Sequence, residues 1–102
     1  MAGTLEQLWL SYNQIERLDN LAPLQKLHTL FISNNRIKSW DEVAKCSQLS
    51  DIKHILLLGN AIYADRTKQE CWPDVVKRIP QIEIVDGAIV TAALRASAEE
   101  LE

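Results

Sequence analysis

Leu5-Glu6-Gln7-Leu8-Trp9-Leu10-Ser11-Tyr12-Asn13-Gln14-Ile15 opens a pattern that recurs along the chain. Its marked positions Leu5, Leu8, Leu10, Asn13 and Ile15 return 22 residues later as Leu27, Leu30, Ile32, Asn35 and Ile37. A third copy places Ile52, Ile55, Leu57, Asn60 and Ile62 a further 25 residues on. A period in this range gives one short strand and one short helical or irregular return per coil, and coils of that kind stack into a solenoid. The pattern is that of a leucine-rich repeat: an α/β solenoid of about three coils, with a short parallel sheet on its concave face and a helical cap at its C-terminal end.

In each coil the strand is the segment around L-x-L, where side chains alternate between two faces. Leu8, Leu10, Leu30, Ile32, Ile55 and Leu57 are expected to point into the core, and the residues between them toward the concave side. The asparagine that follows each strand closes a bend, because its amide both donates and accepts hydrogen bonds. Asn13, Asn35 and Asn60 are therefore expected to form a ladder. Apolar residues recur every third position in the returns, at Leu18, Leu21 and Leu24 and then at Trp40, Val43, Cys46 and Leu49. That spacing suits a 3₁₀-like path better than a long α-helix. Trp40 occupies the place of Leu18 and is expected in the core. Ser39 and Glu42 form a capping box for a short helix over roughly residues 40–46.

The repeats span about residues 4–26, 27–51 and 52–62 of a single domain. After them comes a polar run from Ala64 to Glu70, then Cys71-Trp72-Pro73-Asp74-Val75-Val76-Lys77-Arg78. Pro73 suits the first turn of an α-helix, and that helix should end before Pro80. Ile79, Ile82 and Val85 resume the core spacing, and Asp86-Gly87 makes a turn. Residues 63–87 read as a C-terminal cap. The tail, residues 88–102, has high helix propensity but only a weak apolar stripe of Val90, Leu94 and Leu101; packing on the cap, contact with a partner and fraying all remain open for it. The first coil has no polar cap ahead of it, so its edge is expected to expose apolar surface and unpaired strand groups. A shortened form of a longer protein, cover by another chain, or self-association through this edge would each account for it.

Composition narrows the function. The chain has 102 residues, a net charge of −3, 47% hydrophobic and 25% charged residues. This balance offers no general attraction to nucleic acid or anionic membrane, and no apolar run approaches a membrane span. Cys46 and Cys71 form no C-x-x-C and no disulfide framework, which points to a reducing compartment. His28 and His54 sit at unequal places in their repeats and lack companion ligands. Neither a nucleophile constellation nor a glycine-rich phosphate loop is present in the sequence. A non-catalytic protein without metal or cofactor is expected.

On the concave sheet the central outward row is Trp9, Phe31 and Leu56, with Glu83 expected to continue it in the cap. Gln7, Thr29 and His54 flank it on one side, Ser11, Ser33 and Leu58 on the other, and Tyr12 lies at the rim. Large apolar groups ringed by small polar ones have the anatomy of a protein interface, although cross-strand stacking alone would also account for them. Arg66, Lys68, Lys77, Arg78 and Arg95 could line one edge that meets an acidic surface, or form a solvated face balanced by Asp65, Glu70 and Asp74.

The segments Leu8-Trp9-Leu10-Ser11-Tyr12-Asn13-Gln14-Ile15, Leu30-Phe31-Ile32-Ser33-Asn34-Asn35-Arg36-Ile37 and Leu57-Leu58-Gly59-Asn60-Ala61-Ile62-Tyr63 resemble the repeats of the axonemal dynein light chain 1 family, in its C-terminal half. So does Val75-Val76-Lys77-Arg78-Ile79-Pro80-Gln81-Ile82-Glu83-Ile84-Val85-Asp86-Gly87. The resemblance covers about residues 4–87. It implies a subunit of an outer-arm dynein, bound to the microtubule-binding stalk region of a heavy chain in a ciliary or flagellar axoneme. It implies proximity to tubulin or the microtubule, and a cytoplasmic, cytoskeletal location. A regulatory scaffold of the phosphatase-regulator type shares the repeat class and is the alternative.

Overall fold

Three L-x-L segments become three short strands: β1 (Gln7–Trp9), β2 (Thr29–Phe31) and β3 (His54–Leu56). The computed structural model describes residues 5–19, 21, 23–64 and 66–101. The three strands pair in parallel with matching repeat positions opposite one another, Leu8 to Leu30 to Ile55. β4 (Ile84–Val85) adds in parallel, with His54 opposite Ile84, and β5 (Ala88–Ile89) turns back antiparallel on it. The sheet order is therefore the order of the chain, from β1 to β5. The repeat solenoid expected from the sequence is present, with the parallel ladder on one side and short helices on the other.

The core lies where the repeat predicts. Leu30, Ile32, Ile37, Ile55, Leu57, Ile79, Ile82 and Val85 are fully buried, and Leu8, Leu10 and Ile15 of the first coil are half-buried against them. Leu5, the first of the described residues, is exposed.

The asparagine ladder joins neighbouring coils. Asn35 Nδ2 donates to Ile32 O and Ser33 O in its own coil and to Leu10 O in the preceding one, at 3.0, 3.1 and 2.9 Å, while its Oδ1 accepts from Ile15 N. Asn60 repeats the arrangement with Leu57 O, Ile32 O and Ile37 N. Asn13 is exposed, and its amide reaches Leu10 O and Ser11 O of its own coil. Asn60→Ala should therefore cost about 3 kcal/mol in urea unfolding by orphaning buried backbone groups, whereas Asn13→Ala should cost under about 1 kcal/mol. Equal losses at the two positions would contradict the ladder.

On the convex side, α1 (Trp40–Ala44) runs into a 3₁₀ turn at Lys45–Gln48. Ser39 caps it by accepting from Asp41 N, but the expected capping box is only half made. Glu42 instead accepts from Leu18 N of the previous coil at 2.7 Å and pairs with Lys45, which also meets Asp19. The Leu18 amide, then Lys45, hold the Glu42 carboxyl below its ordinary 4.5. Its stabilisation is thus present above pH 4.5 and is lost as pH falls through the lowered folded value. Wild type should exceed Glu42→Gln in stability at neutral pH, and the gap should close on acidification below that point, as followed by urea titrations across pH.

Two expectations change, at Trp40 and at the start of the cap helix, and one open alternative, the tail, is decided. Trp40 is half-buried rather than core: it stacks on Tyr63 at 6.2 Å, with the Arg66 and Arg78 guanidiniums 5.8 and 5.2 Å from its ring. An indole is too large for the place a leucine fills, so its ring remains at the surface and attracts cations. α2 (Lys68–Arg78) starts earlier than Pro73. Thr67 and Glu70 form a reciprocal capping box, Glu70 N to Thr67 Oγ1 at 3.2 Å and Thr67 N to Glu70 Oε1 at 3.1 Å, and Pro73 falls within the helix. The polar run concealed this turn because Lys68, Gln69 and Glu70 all face solvent. The tail packs: α3 (Ala92–Glu99) lies on α2, buries Ala98, and is held by Arg95 donating to Pro80 O and Ile82 O at 2.8 Å and by Lys77 donating to Leu101 O at 2.7 Å. Thr4, Asp65 and Glu102, which figure in the sequence reading, lie outside the described residues.

Candidate functional site

Parallel register brings the between-core residues of successive coils side by side. Trp9 stands opposite Phe31, and Phe31 opposite Leu56. The rings of Trp9 and Phe31 stack at 5.6 Å, and Phe31 meets the His54 imidazole edge-on at 5.0 Å. Trp9 nonetheless keeps 67% of its surface exposed. Burial holds the His54 imidazole below its usual value against an opposing pull from Asp86, so the ring is neutral at pH 7 and adds to an uncharged surface. An aromatic pair in offset stacking stabilises the sheet, but it does not account for an indole left so open to water.

The rims follow the repeat too. Thr29 is buried and its Oγ1 meets His28 Nδ1 at 2.7 Å. Ser33 is buried, with its hydroxyl on Ser11 Oγ at 2.8 Å. These small groups serve each other and leave little free for a partner. Tyr12 is 81% exposed and adopts a left-handed backbone, φ 61°, which aims it off the strand end. Leu58 is half-buried beyond β3.

Glu83 does not continue the central row. The β3–β4 register sets Ile84 beside His54 and Val85 beside Ile55, and Glu83 pairs with Lys53 at 3.8 Å. The concave surface continues instead through Ile84 and its antiparallel neighbour Ile89, which is 74% exposed. The sequence reading missed both residues. Their signal was Asp86-Gly87 between two apolar pairs, a two-residue hairpin turn, and both turn residues have positive φ, 51° and 84°. The face thus extends from Trp9 through Phe31, His54 and Leu56 to Ile84 and Ile89.

Asp86 fixes the C-terminal end of this face. Its Oδ1 accepts from Leu57 N and Leu58 N at 2.7 and 3.1 Å, and its Oδ2 accepts from Tyr63 Oη at 2.7 Å and Trp72 Nε1 at 2.9 Å. β4 is too short to supply carbonyls to the end of β3, and the carboxylate replaces them. Burial beside this carboxylate drives the Tyr63 phenol far up, so it stays protonated and donates.

The reactive groups are poorly placed for chemistry. Cys46 and Cys71 are buried thiols, and burial pushes Cys46 up to about 12 and Cys71 above its ordinary value; the thiolate, not the thiol, is the nucleophile. His28 pairs with Glu6 at 3.5 Å on the far side of β2's entry. The five cations that could have lined one edge are divided. Arg66 and Arg78 share Asp74 beside Trp40, Lys68 lies near the Trp72 ring, and Lys77 and Arg95 hold the tail.

Comparison with known proteins agrees with the repeat reading. A family model described as leucine-rich repeats, two copies, matches residues 4–45. The chain is 39% identical over 91 residues to dynein axonemal light chain 1 of Chlamydomonas reinhardtii, covering 85% of this chain and 46% of that protein. It is 27% identical to the tubulin-specific chaperone cofactor E-like protein of Rattus norvegicus, covering 97% of this chain and 24% of that protein. The chain therefore spans less than half the length of these relatives. Among solved structures, the Drosophila melanogaster SNF/U2A' complex contains a chain that superposes with a TM-score of 0.81 at 20% identity, over 94% of this chain and 55% of that one. The Mex67 LRR domain from Chaetomium thermophilum superposes with a TM-score of 0.68 at 20% identity, over 98% and 66%. At that identity the structural likeness speaks for the fold.

Proposed function

On the premise that the chain belongs to the leucine-rich repeat proteins and is related to dynein axonemal light chain 1, we propose that it is a non-catalytic interaction subunit of an axonemal dynein. In this reading it binds the microtubule-binding stalk region of a heavy chain through its concave sheet, at a ciliary or flagellar axoneme, and modulates motility by holding that element in one orientation. The observation that carries the proposal is Trp9, 67% exposed and stacked on Phe31 at the β1 end of the face. Aromatic anchors of this kind dominate binding energy, and small polar neighbours exclude water around them. The proposed partner residues are Trp9, Phe31, Leu56 and Tyr12, with Ser11, Ser33, Thr29, His54 and Leu58 around them, and the proposal extends to Ile84 and Ile89, which lie on the same face. With the cations divided, docking is assigned to the heavy chain, and microtubule contact is an accompanying event.

The test is a pull-down from ciliated-cell extract with wild type and Trp9→Asp, each first shown folded by circular dichroism. Enrichment of a dynein heavy chain by wild type alone supports the proposal. Recovery of a phosphatase by wild type would favour the scaffold alternative, and equal recovery of the heavy chain by both proteins would remove the concave face from the account.

A further inference from the structure

An open groove of about 650 Å³ lies past the C-terminal ends of β2 and β3, floored by Leu58, Gly59 and Asn60. Its charged lining among the described residues is Arg36, Lys38, Arg66 and Lys68, with no carboxylate among them. This runs against the chain as a whole, whose net charge is −3. The repeat produces the clustering. Arg36 and Lys38 follow the Asn35 bend of the second coil, and Arg66 and Lys68 follow the third coil where it enters α2. The ladder thus stacks two pairs of cations on one edge.

The remaining polar groups of the lining are already committed. The Asn35 and Asn60 amides serve backbone partners within the ladder. Gly59 is required on the floor by its backbone, with φ +82°, and by the Asn34 side chain, into which a Cβ would run. Arg66 is held in place by Asp74 at 2.8 Å and by the Trp40 ring. Lys38 meets Glu16 at 3.5 Å, with both side chains well exposed, and Lys68 lies 6.0 Å from the Trp72 ring. Arg36 has no ion-pair partner among the described residues. A guanidinium without a carboxylate and two weakly engaged ammonium groups are free to accept one from outside.

We infer that this groove binds an acidic peptide segment, a run of aspartate or glutamate side chains laid across the Asn35–Asn60 edge. Four cations spread along an open groove suit several separate carboxylates better than one phosphate gripped at a point. Tyr63, the aromatic of the lining among the described residues, is buried, so the groove offers no open ring on which a base could stack. Leu58 lines the groove and also borders the concave face, so one partner can engage both. The inference goes beyond the dynein reading and does not depend on it.

The experiment is fluorescence anisotropy of a labelled octaglutamate peptide against the full chain. Wild type should bind in a salt-sensitive manner, and Arg36→Glu/Lys68→Glu should weaken binding at least about tenfold. Both side chains are exposed, and a glutamate at position 68 suits the first turn of α2, so the fold is retained and is verified by circular dichroism. Lys26→Glu/Lys53→Glu makes the same change in net charge elsewhere and should weaken binding less than about threefold. Phe31→Asp should retain peptide binding, which separates this groove from the concave face. Equal loss in the two charge-reversed proteins, tighter binding of an equal-length single-stranded oligonucleotide than of octaglutamate, or no binding by wild type would each overturn the inference.

Discussion

Phe31→Asp is expected to raise the Kd for a dynein heavy-chain stalk region at least about 100-fold while leaving the chain folded. Phe31 is half-buried, packed between Trp9 and His54, and faces the concave side rather than the core. In the free protein an aspartate there remains in contact with water, so the folding cost should stay near 1–2 kcal/mol, mostly from the lost stack. In a complex that covers the face, the carboxylate would be desolvated without a partner, and the aromatic anchor would be gone. Those two effects together exceed about 3 kcal/mol, which corresponds to the stated change in Kd. Isothermal titration calorimetry measures the affinity, and urea unfolding measures the stability. A parallel fall of both would mean that the stack serves the sheet alone.

The largest stability effect is expected at Asp86. One carboxylate accepts from Leu57 N, Leu58 N, Tyr63 Oη and Trp72 Nε1, joining β3, the third coil, α2 and the closing hairpin. Its backbone also adopts a left-handed conformation, φ 51°, which aspartate and asparagine tolerate better than alanine. Asp86→Ala should therefore cost about 4 kcal/mol or more, combining several orphaned donors with backbone strain. Asp86→Asn should cost roughly half as much, since the amide keeps an acceptor for the β3 end and suits the turn but cannot accept both side-chain donors. Urea midpoints give the ranking. Asn as costly as Ala would show that the charge, rather than the turn and the hydrogen bonds, governs the site.

The repeat was legible because it is repeated. Each of Leu30, Ile32, Ile55 and Leu57 occupies a position that another coil confirms, and burial follows at all four. The asparagines were legible for the same reason, since one residue type recurring at one bend must serve the same backbone groups. Where the repeat stops, local signals compete. Pro73 drew the start of α2 toward itself, although the Thr67 and Glu70 box was present in the sequence six residues earlier. Trp40 was placed by analogy with Leu18, and its volume overruled the analogy. Glu83 was assigned to the concave row by continuing a straight count, whereas the register is set by Val85 entering the core beside Ile55. Ile84 and Ile89 were hidden because their place on the face depends on the hairpin, which forms only when Asp86 and Gly87 both take positive φ. Asp86 itself reads as a turn residue; its four partners come from segments that only the closed cap brings together.

The three tryptophans provide the most direct test of where a partner docks. Trp9 lies on the concave face, Trp40 on the convex side beside Arg66 and Arg78, and Trp72 is bonded to Asp86 in the cap. In a two-dimensional NMR spectrum of ¹⁵N-labelled protein each indole N–H is a separate reporter. On titration with a recombinant dynein heavy-chain stalk region, the Trp9 signal should shift or broaden first, while Trp40 stays in place. A response at Trp40 with Trp9 unmoved, or no response at any of the three, would contradict binding through the concave sheet.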